Sequence, residues 1–254
     1  MLLEGKRGFV LGVLNDRSIA WAITKLALDE GAEVVIGVQD ERRKESVSRL
    51  IAPGVPASVV VCDVTADESV KSAVQHVTEK LGKVDFFVHS VASAKTEELG
   101  GRFIQTSREG FQFAMDVSCY SLVSVCAALE PHFSEKASVL AMSYLGSVRA
   151  VGNYNVMGVA KAALESAVRY LAADLGPQGV RVNAVSPGPI STVSARGVKG
   201  LSEMIDFVAQ KAPLRRAANQ EDVAGTSLYL MSDLSSGVTG QVIYVDSGYQ
   251  IMGM

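Results

Sequence analysis

Seven apolar runs of five to seven residues, separated by stretches of helical periodicity, constrain this chain more than any other feature. They are Arg7–Val13, Glu33–Val38, Ser58–Cys62, Val84–His89, Ala137–Met142, Val180–Val185 and Gln241–Val245. Near-continuous apolar strands are buried on both faces, as in a parallel sheet covered by helices on either side. The intervening segments supply those helices: Ile19 to about Asp29, the Val70–Leu81 stripe, Glu109–Glu130, Asn153–Leu175 and Gln220–Ser232. Regular alternation without a Pro-rich linker or internal repeat predicts one domain over residues 1–254. The expected fold is a doubly wound (Rossmann) α/β sheet of seven parallel strands with helices on both faces. Gly31 is placed to end the first helix left-handed, and Thr65-x-x-Glu68 reads as a capping box. The long Glu109–Glu130 helix is apolar on more than one side, which predicts self-association.

Composition narrows the class. The 254 residues are 48% hydrophobic and 20% charged with a net charge of −3, which describes a globular chain without the basic surface that nucleic acid demands. Cys62, Cys119 and Cys126 have no CxxC spacing, so free thiols in a reducing cytoplasm and no metal site are expected. The opening residues do not form a secretory signal, and no apolar run is read as long enough to span a membrane.

The chemistry-bearing residues fall at strand ends, where a doubly wound sheet binds ligands. After the first strand, Gly12-Val-Leu-Asn-Asp-Arg-Ser18-Ile-Ala leads into a helix, a strand–turn–helix arrangement whose N–H groups can cradle a pyrophosphate. The glycine spacing is not G-x-G-x-x-G, and taken alone an ordinary connection explains it equally well. Ser18 can cap the helix and donate its hydroxyl. At the end of the second strand Gln39 can bond ribose hydroxyls. Asp40 and Glu41 argue for NADH, whereas Arg42 and Arg43 could hold the 2′-phosphate of NADPH. Asp63 can meet an adenine amino group or simply be a helix-entry carboxylate. Ser90 to Ala94 is a small-residue crevice, and His89 reads as structural, without a triad partner. Ser186-Pro-Gly-Pro-Ile190 is a rigid turn whose Ile190 backbone can bond a carboxamide. Residues 191–212 are expected to form a lid.

The centre of the site is Ser143-Tyr-Leu-Gly-Ser-Val-Arg-Ala-Val-Gly-Asn-Tyr154-Asn-Val-Met-Gly-Val-Ala-Lys161. If this segment is helical from Asn153, Tyr154 and Lys161 lie on one face two turns apart. A cation beside a phenol lowers the phenol pKa and prepares an acid or oxyanion donor. Taken alone, that spacing is explained more simply by a buried tyrosine and a solvated lysine.

Together with the S-P-G-P-I turn, the V-R-V-N-A-V strand and the closing G-x-V-x-x-V-D-S-G, these blocks resemble the short-chain dehydrogenase/reductase superfamily. Ordinary members carry Tyr-x3-Lys, but here Gly158 holds that position and the lysine follows after six residues. With S-Y-L-G, N-Y-N-V-M-G and G-V-x-N-D-R-S-I-A, the chain looks like the NADH-dependent enoyl-acyl-carrier-protein reductases of bacterial type II fatty acid synthesis. The resemblance covers Gly5 to Gly248. It implies that Tyr154 hydrogen-bonds a thioester carbonyl as it becomes an enolate, that Lys161 holds the nicotinamide ribose, and that Tyr144 lines the acyl pocket with Ala92 and Ala94. It implies a dinucleotide on Gly12, Ser18, Ile19, Gln39, Asp63, Val64, Ser90, Lys161 and Ile190. Acyl carrier protein is the implied partner and a cytoplasmic homotetramer the implied assembly, with no nucleic acid and no membrane.

The chain departs from the family at two places. Ala92-Ser93 stands where a small residue and an aromatic are common. Ser202 and Glu203 replace basic residues after Lys199, which leaves Arg196, Lys199, Arg215 and Arg216 as candidates for docking the carrier. Two other readings compete. A carbonyl (3-ketoacyl) reductase or alcohol dehydrogenase would use Ser143 with the short Tyr–Lys spacing, and a non-catalytic dinucleotide sensor would lack the tyrosine or the lysine.

Overall fold

A computed structural model describes residues 1–253, with the side chains of all of them except Ser194 and Arg196. The strands are β1 (Arg7–Leu11), β2 (Glu33–Val38), β3 (Ala57–Val61), β4 (Val84–His89), β5 (Phe133–Met142), β6 (Arg181–Pro187) and β7 (Val242–Val245). They form one sheet in the order β3-β2-β1-β4-β5-β6-β7, and every pairing is parallel. This is the expected doubly wound sheet, and its order reverses between β1 and β4.

The helices are α1 (Ile19–Asp29), α2 (Glu41–Ser48), α3 (Asp67–Leu81), α4 (Arg108–Met115), α5 (Ser121–Leu129), α6 (Val156–Leu175), α7 (Leu201–Lys211) and α8 (Gln220–Met231). Successive strand residues point to opposite faces, so each strand feeds two cores. Phe9 and Phe87 pack with Leu122, Leu129 and Leu164 on the side of α3, α5 and α6. Val10, Ile36, Phe86 and Leu140 pack with Ile23 and Leu230 on the side of α1 and α8. Each such fully buried side chain contributes roughly 1.5–3 kcal/mol of apolar burial.

Several local readings change. β5 begins at Phe133 rather than Ala137, but its register against β4 shifts between Val84 and Phe86, and the regular ladder starts only at Ser138. The proposed capping box is not formed: α3 starts after Ala66, and Thr65 Oγ1 instead donates to Asp63 Oδ1 at 2.7 Å. The box that does form is at α8, where the Asn219 and Asp222 side chains each accept from the other's N–H. The long helix is interrupted by a π-helical turn, Asp116–Tyr120, between α4 and α5. By length and mean hydropathy the run Arg108–His132 does reach membrane-span dimensions (25 residues, 1.4), contrary to the reading above. Its apolar residues serve two faces: Val117, Leu122, Val125 and Leu129 enter the core, while Phe111 and Tyr120 stay exposed.

His89 closes β4 inside this core. Its Nε2 lies 2.7 Å from Ser121 Oγ, whose own proton goes to the Val117 carbonyl, so Nε2 is the protonated nitrogen. Burial, assisted by the Lys161 ammonium, pulls the imidazole down to about 3. A depressed histidine gives stability that is present above its unfolded pKa of 6.5 and is lost as pH falls toward the folded value. Between pH 7 and 5 that loss is about 2 kcal/mol. Urea unfolding of His89→Gln should be flatter than the parent's by about this amount over that interval; parallel pH profiles would remove the neutral buried imidazole.

Candidate active site

The site opens where the sheet order reverses, at the C-terminal ends of β1 and β4. Gly12 has φ +104°, and a Cβ there would stand 2.1 Å from the Ser90 carbonyl oxygen. Only bare backbone lets the two strand ends come this close. The following loop is held by Ser18, whose Oγ accepts from the N–H groups of Leu14 (3.0 Å) and Asn15 (3.1 Å). Ser18 occupies the N-cap position of α1 but makes no side-chain cap to it, so its expected capping role is replaced by loop folding.

These ends form one wall of a cleft of about 530 Å³. Of the sequence-predicted residues, Gly12, Ile19, Gln39, Asp63, Val64, Ser90, Ala92, Ala94, Tyr144, Tyr154 and Ile190 line it. Ser18 and Lys161 do not; both are buried behind the wall. At the β2 end, Asp40 turns away to cap α2 by accepting from Arg43 N–H at 2.7 Å, and Glu41 pairs with Lys44 at 3.4 Å. Arg43 itself joins Gln39 in the lining. Asp40 and Glu41, read as repelling a 2′-phosphate, lie beside the cleft and not in its lining.

The expected helical relation of Tyr154 to Lys161 is corrected. α6 begins at Val156, and Tyr154 lies in the preceding turn between Asn153 (φ +60°) and Asn155 (φ +35°). Asparagine tolerates such angles better than most residues. The two asparagine side chains anchor that turn, Asn153 Nδ2 donating to the Lys199 carbonyl at 3.0 Å and Asn155 Nδ2 to the Gly100 carbonyl at 3.0 Å. Tyr154 meets Tyr144 edge to face, with ring centroids 4.8 Å apart and planes at 61°. Aromatic pairs favour this arrangement. Met204 of α7 covers the pair from outside, its sulfur 3.0 Å from the Tyr144 hydroxyl.

Lys161 is 4% exposed, and its Nζ donates to the Met142 carbonyl at 2.6 Å. Burial lowers its pKa to about 8, with Cys119 and Glu165 acting in the opposite direction. The phenols move the other way. Burial raises Tyr144 to about 12 and raises Tyr154 further, with the neighbouring phenol adding to the effect on Tyr154. The expectation that Lys161 lowers the Tyr154 pKa is thus overturned: burial and the Tyr144 phenol both raise it, and the phenol stays a protonated donor. Gly158 explains the unusual spacing, because a Cβ at that position would lie 2.8 Å from the Gly146 carbonyl oxygen. A lysine cannot stand there while α6 packs so closely on the loop after β5.

The sequence reading missed Met157, Met204, Phe113 and Thr192, all in the lining. Apolar and small side chains carry no signature apart from the fold. It also missed Ser118 in the π-helical turn, whose Oγ accepts from Ser93 N–H at 3.0 Å and ties that turn to the crevice. A second cavity of about 620 Å³ adjoins the cleft at Thr96, Leu99 and Gly197 and is bounded outside by Arg102, Asn153 and Lys199. Of the candidate docking cations, Arg216 is tied to Asp222 and Arg215 donates to the Gln210 carbonyl. The side chain of Arg196 lies outside the described residues.

Residues 12–250 match a family model described as enoyl-(acyl carrier protein) reductase. An enoyl-acyl-carrier-protein reductase (NADH) from a Nostoc species is 49% identical over 99% of this chain and 99% of its own length. One of two such enzymes from Rhizobium meliloti is 44% identical over 100% of this chain and 93% of its own. Among solved structures, the Bacillus cereus enoyl-acyl carrier protein reductase with NADP+ and an indole naphthyridinone superposes with a TM-score of 0.97 at 43% identity, covering 100% of this chain and 99% of that one. The Anaplasma phagocytophilum reductase in complex with NAD gives 0.95 at 43% identity, covering 100% and 97%.

The close contact at Gly158 generates a prediction. Gly158→Ala should lower stability by about 1–3 kcal/mol in urea unfolding, although alanine is the better helix former. A more stable variant would show that the loop yields and that the contact does not set the spacing.

Proposed function

This chain belongs to the enoyl-(acyl carrier protein) reductase family, and on that premise we propose how its residues carry out the reaction and what they meet. It is an NADH-dependent oxidoreductase that reduces the double bond of enoyl thioesters on acyl carrier protein in fatty acid elongation. The cleft suits a dinucleotide: bare backbone at Gly12, an amide at Gln39 where β2 ends, and the Ser90 and Ile190 segments on either side. Those residues, with Ile19, Asp63 and Val64, would hold the cofactor, and Lys161 would reach its ribose from behind the wall. The bound dinucleotide supplies the hydride that adds to the β-carbon.

The observation that carries this reading is the Tyr144–Tyr154 pair on the cleft wall with the buried Lys161 ammonium behind it. Burial keeps the Tyr154 phenol protonated, so it donates to the thioester carbonyl as negative charge builds on that oxygen. A donor fixed in place favours the charged transition state over the neutral ground state. Tyr144, Ala92 and Ala94 bound the acyl chain. Ser143 is unsuited to the serine role of a carbonyl reductase, since its hydroxyl is committed to Glu165 at 2.5 Å.

Residues 191–212 act as the lid, with α7 closing over Tyr144 through Met204. The carrier's acyl arm enters by the cavity beside Thr96 and Leu99, and Lys199 and Arg102 at its edge attract the acidic carrier. Exposed Phe111 and Tyr120, with Val159 and Tyr170 on adjacent α6, support a homotetramer, and a cytoplasmic location fits this chemistry.

NADH absorbance followed first with an enoyl thioester and then with a 3-ketoacyl thioester tests the reading; turnover of only the keto substrate would sink it. Tyr154→Phe should lower kcat by on the order of 10²–10³ while NADH affinity stays within about twofold. An unchanged rate would take Tyr154 out of the chemistry.

A further inference from the structure

Glu165 is a buried carboxylate that the reaction above leaves without a task. It lies on α6 one turn beyond Lys161 and is 6% exposed. Its Oε1 accepts from Ser143 Oγ at 2.5 Å and from Ser147 Oγ at 2.6 Å. The two serines bracket Tyr144 and Gly146, the segment on which α6 and Tyr154 pack. Residues four apart on a helix share one face, so Glu165 lies on the Lys161 face of α6 and raises the lysine's pKa from beyond ion-pair distance. A buried carboxylate is costly unless it is hydrogen-bonded and opposed by a cation.

We propose that Glu165 is a positioning residue of this active site: it fixes the Tyr144 segment through Ser143 and Ser147, and it is the buried counter-charge that keeps Lys161 an ammonium.

The other groups facing Lys161 cannot supply that charge. The Met142 carbonyl takes one hydrogen bond. Cys119, from the π-helical turn, acts on Lys161 in the same sense as Glu165, but burial raises its own pKa and disfavours the thiolate, and His89, from β4, is neutral above about 3. Tyr244 of β7 is raised by burial and then by Glu165 and Asp246, with Arg149 opposing. A lysine carries its charge below its pKa and loses it as pH rises, here through about 8. With the carboxylate neutralised, burial acts unopposed and the charge is lost at a lower pH.

This inference rests on Lys161 holding the cofactor, and the experiment separates the two claims. NADH affinity is measured by fluorescence titration from pH 6 to 9.5 in the full-length parent, Glu165→Gln, Ser147→Ala and Lys161→Met. The parent should lose affinity on the alkaline side and Lys161→Met should show no such limb. Glu165→Gln should bind as the parent does at pH 6, with its limb moved down by on the order of one pH unit. Ser147→Ala should keep the parent's limb and instead raise KM for the enoyl thioester severalfold. A limb that persists in Lys161→Met overturns the cofactor role of Lys161. A limb abolished in Lys161→Met but unmoved in Glu165→Gln overturns only the counter-charge, and parent-like KM in Ser147→Ala overturns the anchoring. Should Glu165→Gln fail to fold, Glu165→Asp decides: it retains the charge and must leave the limb in place, and a downward shift refutes the proposal.

Discussion

The backbone of α6 touches the backbone of the loop after β5 at Gly158 and Gly146, and much of the site follows from that approach. Two chain segments meet at this distance only where one has no side chain. The contact seats Tyr154 against Tyr144, and it displaces the lysine by a turn along α6, to a position from which its ammonium reaches the end of β5 from inside the fold. The lysine therefore stands behind the wall with its charge directed at the Met142 carbonyl. In the ordinary Tyr-x3-Lys arrangement the lysine would occupy the very position that must be bare here.

Burial then sets the electrostatics in a direction that spacing alone does not suggest. At Tyr154 burial and the neighbouring Tyr144 phenol act in the same sense, and both raise the pKa. The result suits the chemistry better than a phenolate would. A protonated phenol can donate to a forming oxyanion, and a low-dielectric surrounding strengthens that bond when the charge arrives. The same burial lowers Lys161 toward neutrality, so the two residues that share a site are shifted in opposite senses by one cause.

The sheet was legible in the sequence because buried parallel strands are apolar on both faces, and an apolar run survives without knowledge of its neighbours. β2 and β4 agree to the residue, while β1, β3, β5, β6 and β7 shift at their ends, where polar residues such as Gln241 continue or break a run without changing its register. The cleft residues were legible for a related reason, since a doubly wound order places strand ends together. What was not legible depended on backbone angles and on partners distant in sequence. Tyr154 looked helical because periodicity does not register the positive φ of Asn153 and Asn155. Thr65 and Glu68 had the spacing of a cap, but Asp63 competed for the threonine hydroxyl. Ser18 was placed at the right turn and given the wrong partners, because its hydroxyl accepts from the loop N–H groups of Leu14 and Asn15 and not from the helix.

Glu165 shows the same limit from the other side. As a charge four residues after a lysine it reads as an ordinary surface pair on a helix, worth a few tenths of a kcal/mol. Its surroundings change that meaning, because Ser143 and Ser147 arrive from the end of β5 and only the fold brings them to α6. A carboxylate enclosed in this way resists loss of the serines, without which it is under-bonded. The lysine is bound by the same logic, since a single carbonyl cannot replace the hydration that burial removes. The two serine bonds to Glu165 and the Lys161 bond to Met142 thus tie the strand end, the loop and the helix in the one arrangement that presents two tyrosine rings to the cleft.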